Sequence, residues 1–213
     1  FVTGRDEAFC KNLSKKYDLR CDCMITDNGA SAIYNGKYVY SSLIDLSTGI
    51  ELCKKIISLK EVDLFFTDED GNRYYPICEY GNKSFESFKR KQPYLGSFVS
   101  VDILEYLKTR TRGLPKLSLY VENHLDVLLE KYKKMFSEFE VMATSKDYIE
   151  ITKKSTNKWS AFKHLPVRQA IFIGDGENDR CILENLKNTY VMNHAPDSIK
   201  KLGTCVNSVS QAM

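Results

Sequence analysis

Residues Ala170 to Asp179 read AIFIGDGEND, and the fold turns on this stretch. Ala170 to Ile173 carry no charge and are mostly branched or aromatic, which predicts a buried parallel strand ending at Gly174. Gly174 and Gly176 flank Asp175, so the backbone there can take dihedrals closed to other residues and let a ligand approach closely. Glu177, Asn178 and Asp179 then open a helix that continues through Ile182, Leu183 and Leu186. Asp175 and Asp179 are therefore expected close together, at a strand tip and in the following first turn. Open α/β sheets bind ligands at that edge, and paired carboxylates with room for water suit octahedral Mg²⁺. An ordinary Gly-Asp-Gly turn, with two acids favouring a helix start, is the competing reading.

Downstream of this stretch, a strand at Thr189 to Met192, a helix from Pro196 to Leu202 and a strand at Thr204 to Val206 continue a βα alternation. Upstream, Ser155 to Asn157 offer helix caps before a short helix from Lys158 to Leu165. At the amino end, Phe1 and Val2 read as the last residues of a strand, and a helix runs from about Asp6 to Tyr17. Thr3-Gly4-Arg5 stands at this second strand tip, where a hydroxyl and free amides suit an anion; a plain helix cap at Thr3 is the alternative. Met24 to Thr26 form a strand leading into Asp27-Asn28-Gly29-Ala30. Asn35-Gly36 between Ala32-Ile33-Tyr34 and Tyr38-Val39-Tyr40 signals a hairpin.

Between these segments the pattern changes. A helix from about Thr48 to Leu59, capped by Ser47, precedes strands at Val62 to Phe66 and Arg73 to Ile77. A helix near Phe85 to Lys91, a strand at Ser97 to Val99, a helix from Asp102 to Lys108 and a strand at Lys116 to Tyr120 follow. A helix from His124 to Phe136 and strands at Phe139 to Ala143 and Tyr148 to Ile151 close the block. The order αββ(αβαβ)αββ predicts an α+β domain over residues 47–152, inserted into an α/β domain formed by 1–46 and 153–213.

The 213 residues can hold a sizeable core. The formal charge is only +3, from 31 basic and 28 acidic residues, and no dense basic face argues for nucleic acid. Lys89, Arg90 and Lys91, like Arg110 and Arg112, read as solvated helix ends. Seven scattered cysteines, none at CxxC spacing, predict free thiols in a reducing compartment such as the cytoplasm. No apolar run approaches a membrane span, and no signal peptide is visible.

Lys158 runs against local chemistry, because the macrodipole at a helix start disfavours a cation by a few tenths of a kcal/mol. A solvated lysine bears that cost; a lysine facing an anion at the sheet edge gains far more, about 4 kcal/mol at ~4 Å and an effective dielectric of ~20.

Together these residues resemble the haloacid dehalogenase (HAD) superfamily, most closely its Cof-type phosphatases with a type-two, subtype-B cap. Thr3-Gly4-Arg5 is similar to the second family motif, Asn28-Gly29-Ala30 to the loop after the next core strand, Lys158 to the third motif, and Gly174-Asp175-Gly176 with Asn178-Asp179 to the fourth. The order of the inserted block is that of the family's cap. The resemblance implies a Rossmann-like core with helices on both faces of a parallel sheet and a phosphohydrolase site acting on a small phosphorylated metabolite. Thr3 would bind the transferring phosphoryl group, with Gly4, Arg5, Asn28 and Asn178 close by. Lys158 would neutralise charge on that group and on the nucleophile. Asp175 would ligate Mg²⁺, with Asp179 completing or orienting the metal site.

The family's first motif, an Asp-x-Asp whose first aspartate attacks phosphorus, has no counterpart here. Asp68-Glu69-Asp70-Gly71 follows an apolar run but lies inside the inserted block, where Asp70-Gly71 reads as a hairpin turn. The missing strand and crossover, roughly 30 residues or more, are expected upstream of Phe1, and a shortened carboxyl end is expected too. The 213 residues by themselves are accordingly expected to be inactive by the aspartyl route. Two departures from the family stand out: Trp159 follows the lysine where glycine is usual, and His194 replaces asparagine in Asn193-His194-Ala195. His194 reads either as a site contact or as a surface histidine. Tyr94, Arg110 and Arg112 are candidate substrate contacts from the cap. A sugar-phosphate phosphatase is the leading expectation; a phosphosugar mutase and a non-catalytic phosphometabolite-binding protein are the alternatives.

Overall fold

The computed structural model describes residues 1–68, 70–76 and 98–212, with Phe98 given by its backbone alone. Val2 makes a parallel bridge to Ile25, which aligns the amino end with the first strand. Helix α1 (Glu7–Lys16) follows, with Glu7 in its first turn and Lys15 and Lys16 in its last, matching the helix dipole. Asp6 is its cap, accepting from the Phe9 amide at 2.7 Å. Thr3 is therefore not the cap; its Oγ1 accepts from the Arg5 amide at 3.1 Å and stays at the strand tip.

Strands β1 (Cys23–Thr26), β2 (Ser31–Tyr34) and β3 (Lys37–Ser41) form an antiparallel sheet. Asn35 and Gly36, at φ 48° and 74°, make the two-residue turn that Asn-Gly favours between twisted strands. Between β1 and β2, Asp27, Asn28 and Gly29 take φ values of 51°, 56° and 99° in succession. Such a left-handed run costs free energy and marks a place where the surroundings over-determine the backbone.

The inserted block then runs α2 (Leu46–Leu59), β4 (Asp63–Thr67), β5 (Arg73–Pro76), β6 (Phe98–Val101), α3 (Ile103–Thr109), β7 (Leu117–Tyr120), α4 (Leu125–Met135), β8 (Phe139–Ser145) and β9 (Tyr148–Lys153). Asp45, not Ser47, precedes α2, and no side chain caps that end. The helix expected near Phe85 to Lys91, the Lys89-Arg90-Lys91 run and Tyr94 lie outside the described residues. The six strands order as β6-β5-β4-β7-β9-β8, antiparallel except for β5 with β6.

The two-residue period of these strands gives the inserted sheet its two faces. Leu64, Phe66, Leu117, Leu119, Ile149 and Ile151 pack against Leu52, Ile56, Leu107, Tyr132 and Phe136 of the covering helices. Each such fully buried side chain contributes about 1.5–3 kcal/mol of transfer free energy. The alternate positions, Phe65, Thr67, Arg73, Ser118, Tyr148 and Glu150, face the other way and line a cavity.

The remaining elements are α5 (Lys158–Phe162), β10 (Ile171–Gly174), a 3₁₀ turn at Glu177–Asp179, α6 (Arg180–Leu183), β11 (Asn188–Met192), α7 (Asp197–Lys200) and β12 (Thr204–Val206). Strands β10, β11 and β12 are parallel neighbours in that order, packed by Phe172, Ile182, Val191 and Ile199. Strand β10 is buried only in part. Its one strand partner among the described residues is β11, so Ile171 is 56% exposed although its sequence suggested a buried position. The chain passes between the two units beside Ile44, which exchanges backbone hydrogen bonds of 2.8 and 2.9 Å with Leu114. Ser42 and Thr156 hydroxyls meet across the two crossings at 2.7 Å. Among the described residues no helix is long and apolar enough to cross a membrane.

Candidate active site

A cavity of about 460 Å³ lies between the inserted sheet and the strand tips of the parallel unit. Thr3, Gly4, Arg5, Lys158, Asp175, Asn178 and Asp179 all border it. Asn28 stands immediately behind, fully buried, donating through Nδ2 to Glu150 and accepting from Asn178 Nδ2 at 3.0 Å. The residues singled out from sequence thus converge, though they come from four separated segments.

The Thr3 loop is held by its backbone: Thr3 donates to the Ile25 carbonyl at 2.9 Å, and Asn28 donates to the Thr3 carbonyl at 3.2 Å. Gly4 is required where it stands, since a Cβ there would lie 2.7 Å from Asn28 Oδ1. Gly29 meets a harder limit, for its Cβ would fall 2.1 Å from the Asn157 carbonyl oxygen. That approach seats the start of α5 against the left-handed turn and fixes where Lys158 emerges.

Asn157 caps α5 through a reciprocal pair with Ser160. Lys158 is not solvated: its side chain is 5% exposed and its Nζ donates to Asp179 Oδ1 at 2.5 Å. The other oxygen of Asp179 accepts from the Asp175 and Gly176 amides at 2.9 and 3.1 Å. Asp179 is therefore fully engaged within the protein. Asp175 differs, with a 58% exposed side chain whose Oδ2 lies 3.0 Å from His194 Nε2. His194 does touch the site, whereas Trp159 stacks on Phe162 at 5.5 Å in the adjoining core.

Several charges at this junction were missed in the sequence. Arg73, 4% exposed, pairs with Asp6 at 3.2 Å and donates to the Gly71 carbonyl. Burial pulls its guanidinium below the ordinary value, with Asp6 opposing. Lys116 binds Glu150 Oε1 at 2.7 Å and the Gly4 carbonyl at 2.6 Å, and lies 3.7 Å from Asp27. Burial works against the Lys116 ammonium, but Glu150 and Asp27 outweigh it and hold it above its ordinary value. Burial pushes Asp27 up to about 7, opposed by Lys116 and reinforced by Asp6 and Glu150. The one available signal was Glu150 itself, a charge at the centre of the otherwise uncharged strand YIEIT.

Other candidates fall away from the cavity. Asp68 organises its own turn, accepting from the Asp70 and Asn72 amides and from the Tyr74 hydroxyl. Arg110 lies over Phe66, and Arg112 donates to Tyr38, so neither borders the cavity. Cys10 and Cys53 are pushed by burial up to about 12, which leaves them as thiols unsuited to nucleophilic attack.

A family model described as haloacid dehalogenase-like hydrolase matches residues 1–211. The chain belongs to the haloacid dehalogenase-like hydrolases. Two curated relatives, each named "Putative phosphatase", come from Streptococcus pyogenes and Mycoplasma pneumoniae. They are 33% identical over 73 residues and 32% identical over 111 residues, or 32% and 47% of this chain. Those matches span 27% and 40% of the relatives' own lengths. Among solved structures, the HAD subclass IIB sugar phosphatase BT4131 superposes with a TM-score of 0.79 at 18% identity, covering 100% of this chain and 82% of that one. At that identity the likeness establishes the fold.

Proposed function

We propose that this HAD hydrolase is a Mg²⁺-dependent phosphatase of small phosphorylated metabolites, sugar phosphates or similar monoesters, with residues 47–152 acting as a cap. The observation that carries this reading is the convergence of the Thr3 hydroxyl, the Lys158 ammonium and the Asp175 carboxylate on one wall of a single cavity. The facing wall supports a polyhydroxy substrate, since Thr67, Ser118, Thr144, Ser145 and Tyr148 line it together with Phe65.

The donor chemistry fits Mg²⁺. Asp175 offers a hard, solvent-facing oxygen at the cavity edge, and Mg²⁺ needs few protein ligands when phosphate and water complete its shell. Asp175 would hold the ion. Asp179, with both oxygens engaged, orients Asp175 through the loop amides and fixes Lys158. When bound, the metal supplies charge neutralisation at the phosphoryl oxygens. Thr3 positions the phosphoryl group by hydrogen bonding, and the buried Lys158 carries positive charge toward the same group. In the family's route the first aspartate of an Asp-x-Asp motif would attack phosphorus, break the ester P–O bond with release of the substrate's alcohol, and form an aspartyl phosphate that water hydrolyses to the carboxylate and free phosphate. The cap's crossings, beside Leu43 to Ser47 and Thr152 to Ser155, serve as hinges, Ser155 already holding a left-handed φ of 63°. The described cysteines are free thiols, which supports a cytoplasmic location.

The test is ³¹P NMR of the complete protein with a hexose phosphate and Mg²⁺. Free phosphate is expected with the Asp-x-Asp segment present, and none above background with the 213 residues alone. A migrated phosphate signal would instead identify a mutase, and an unconsumed but perturbed signal a binding protein.

A further inference from the structure

Glu150 sits at the centre of β9 with both carboxylate oxygens engaged at the junction with the parallel unit. Oε1 accepts from Lys116, whose ammonium also reaches the Gly4 carbonyl, and Oε2 accepts from Asn28 Nδ2. Asn28 Oδ1 in turn accepts from Asn178 Nδ2. A carboxylate offers no hydrogen to donate, so Glu150 compels Asn28 to turn its NH₂ group toward β9 and its oxygen toward Asn178. Asn178 must then turn its own NH₂ group toward Asn28. Its Oδ1 is left on the Gly176 side, where a Cβ built on Gly176 would lie 2.7 Å from it. The polarity of two asparagine amides is thus set by one acceptor on the inserted sheet. The amide-rich lip beside Asp175 gains an oxygen where an unconstrained asparagine could equally present nitrogen.

Burial makes this costly enough to need a reason. The Glu150 and Lys116 side chains are 11% and 9% exposed, and a buried ion pair is a weak stabiliser compared with apolar packing of equal volume. Its distinctive output here is directional. We propose that Glu150 is a positioning residue that fixes the hydrogen-bond polarity of the Asn28–Asn178 relay, so that docking of the inserted sheet presents the Asn178 oxygen to the Asp175 metal corner. The proposal rests on the phosphatase reading for its metal, but not on turnover for its test.

The experiment is calorimetric titration of Mg²⁺ alone into the complete protein, with phosphate release and urea unfolding measured in parallel. Glu150→Gln keeps the shape but lets the relay flip; Mg²⁺ affinity is expected to fall about 10-fold, within the range of such outer-layer partners. Asn178→Asp, on its own, sets two acceptors against the single Asn28 NH₂ group and is expected to lower phosphate release. Combining them inverts the relay: the amide introduced at position 150 donates to Asn28, Asn28 donates to the carboxylate introduced at position 178, and an oxygen again lies on the Gly176 side. The double variant is expected to recover Mg²⁺ affinity to within about 3-fold of wild type and to bind Mg²⁺ more tightly than Asn178→Asp alone, a coupling beyond the charge that the new carboxylate adds. Unchanged Mg²⁺ affinity in Glu150→Gln at wild-type stability, or a double variant no better than Glu150→Gln, overturns the proposal. Loss of folding in Glu150→Gln is answered by the double variant, whose Mg²⁺ affinity is read in the same way. Normal Mg²⁺ binding with the expected variant pattern but no phosphate release overturns the phosphatase reading alone; no Mg²⁺ binding by wild type overturns both.

Discussion

Both walls of the cavity bury ion pairs, but only one of them also holds an exposed carboxylate. On the parallel unit Asp175 stands in solvent at a strand tip, while Lys158, the first residue of a capped helix, borders the cavity buried and paired with Asp179. On the inserted sheet, Arg73 pairs with Asp6 across the junction, and Lys116 and Glu150 pair with each other while reaching Gly4 and Asn28 across it. The first wall keeps the Asp175 carboxylate available, and the other commits these three charges to holding the loops it faces. A cavity between two units can be both reactive and well defined because these duties are divided.

The largest expected break in that division is Lys158→Met. It removes cavity charge and strands Asp179 in a buried position, so phosphate release should fall below about one part in a hundred and unfolding free energy by about 3 kcal/mol. Urea denaturation monitored alongside activity checks both, and Asp179→Asn added to Lys158→Met should restore stability without restoring turnover. Gly29→Ala comes next. Its Cβ meets the Asn157 carbonyl, so about 1–3 kcal/mol of overpacking adds to left-handed strain, and thermal melting should show it.

A smaller effect concerns pH. Asp27 holds its proton up to about 7 in the folded state, against an ordinary value near 3.8. Between those values the folded protein binds the extra proton, so this group's contribution is complete below about 4 and is lost as pH rises through about 7. Asp27→Asn, which also tolerates the positive φ, should flatten the decline in melting temperature between pH 5 and pH 8; parallel profiles for variant and wild type would count against the buried, protonated Asp27. The smallest change is Val127→Ser on α4. Val127 is 68% exposed and away from both walls, so stability should stay within about 0.5 kcal/mol and activity unchanged.

The strand-tip wall was legible in the sequence because its chemistry is local. Gly174-Asp175-Gly176, Thr3-Gly4-Arg5 and a lysine at a helix start each announce themselves within a few residues. The hairpin at Asn35-Gly36 and the αββ units were readable for the same reason. The facing wall was not, because Lys116 and Glu150 acquire meaning only when β7 and β9 pair and turn their alternate side chains toward Asn28. The exposure of Ile171 was hidden likewise, since burial of a strand depends on which neighbours it has. Asp179 was legible as a site residue but not as one with both oxygens already occupied, a matter of the loop amides and Lys158.

The central claim is that Asp175 is the metal-holding group of a phosphoryl-transfer site. Its most direct test is phosphate release by Asp175→Asn in the complete protein, titrated with Mg²⁺ and compared with wild type. The side chain is solvent-facing and outside the apolar core, so the variant should fold normally, and Mg²⁺-dependent release should fall by at least about 100-fold. Full activity with the wild-type Mg²⁺ dependence would contradict the account.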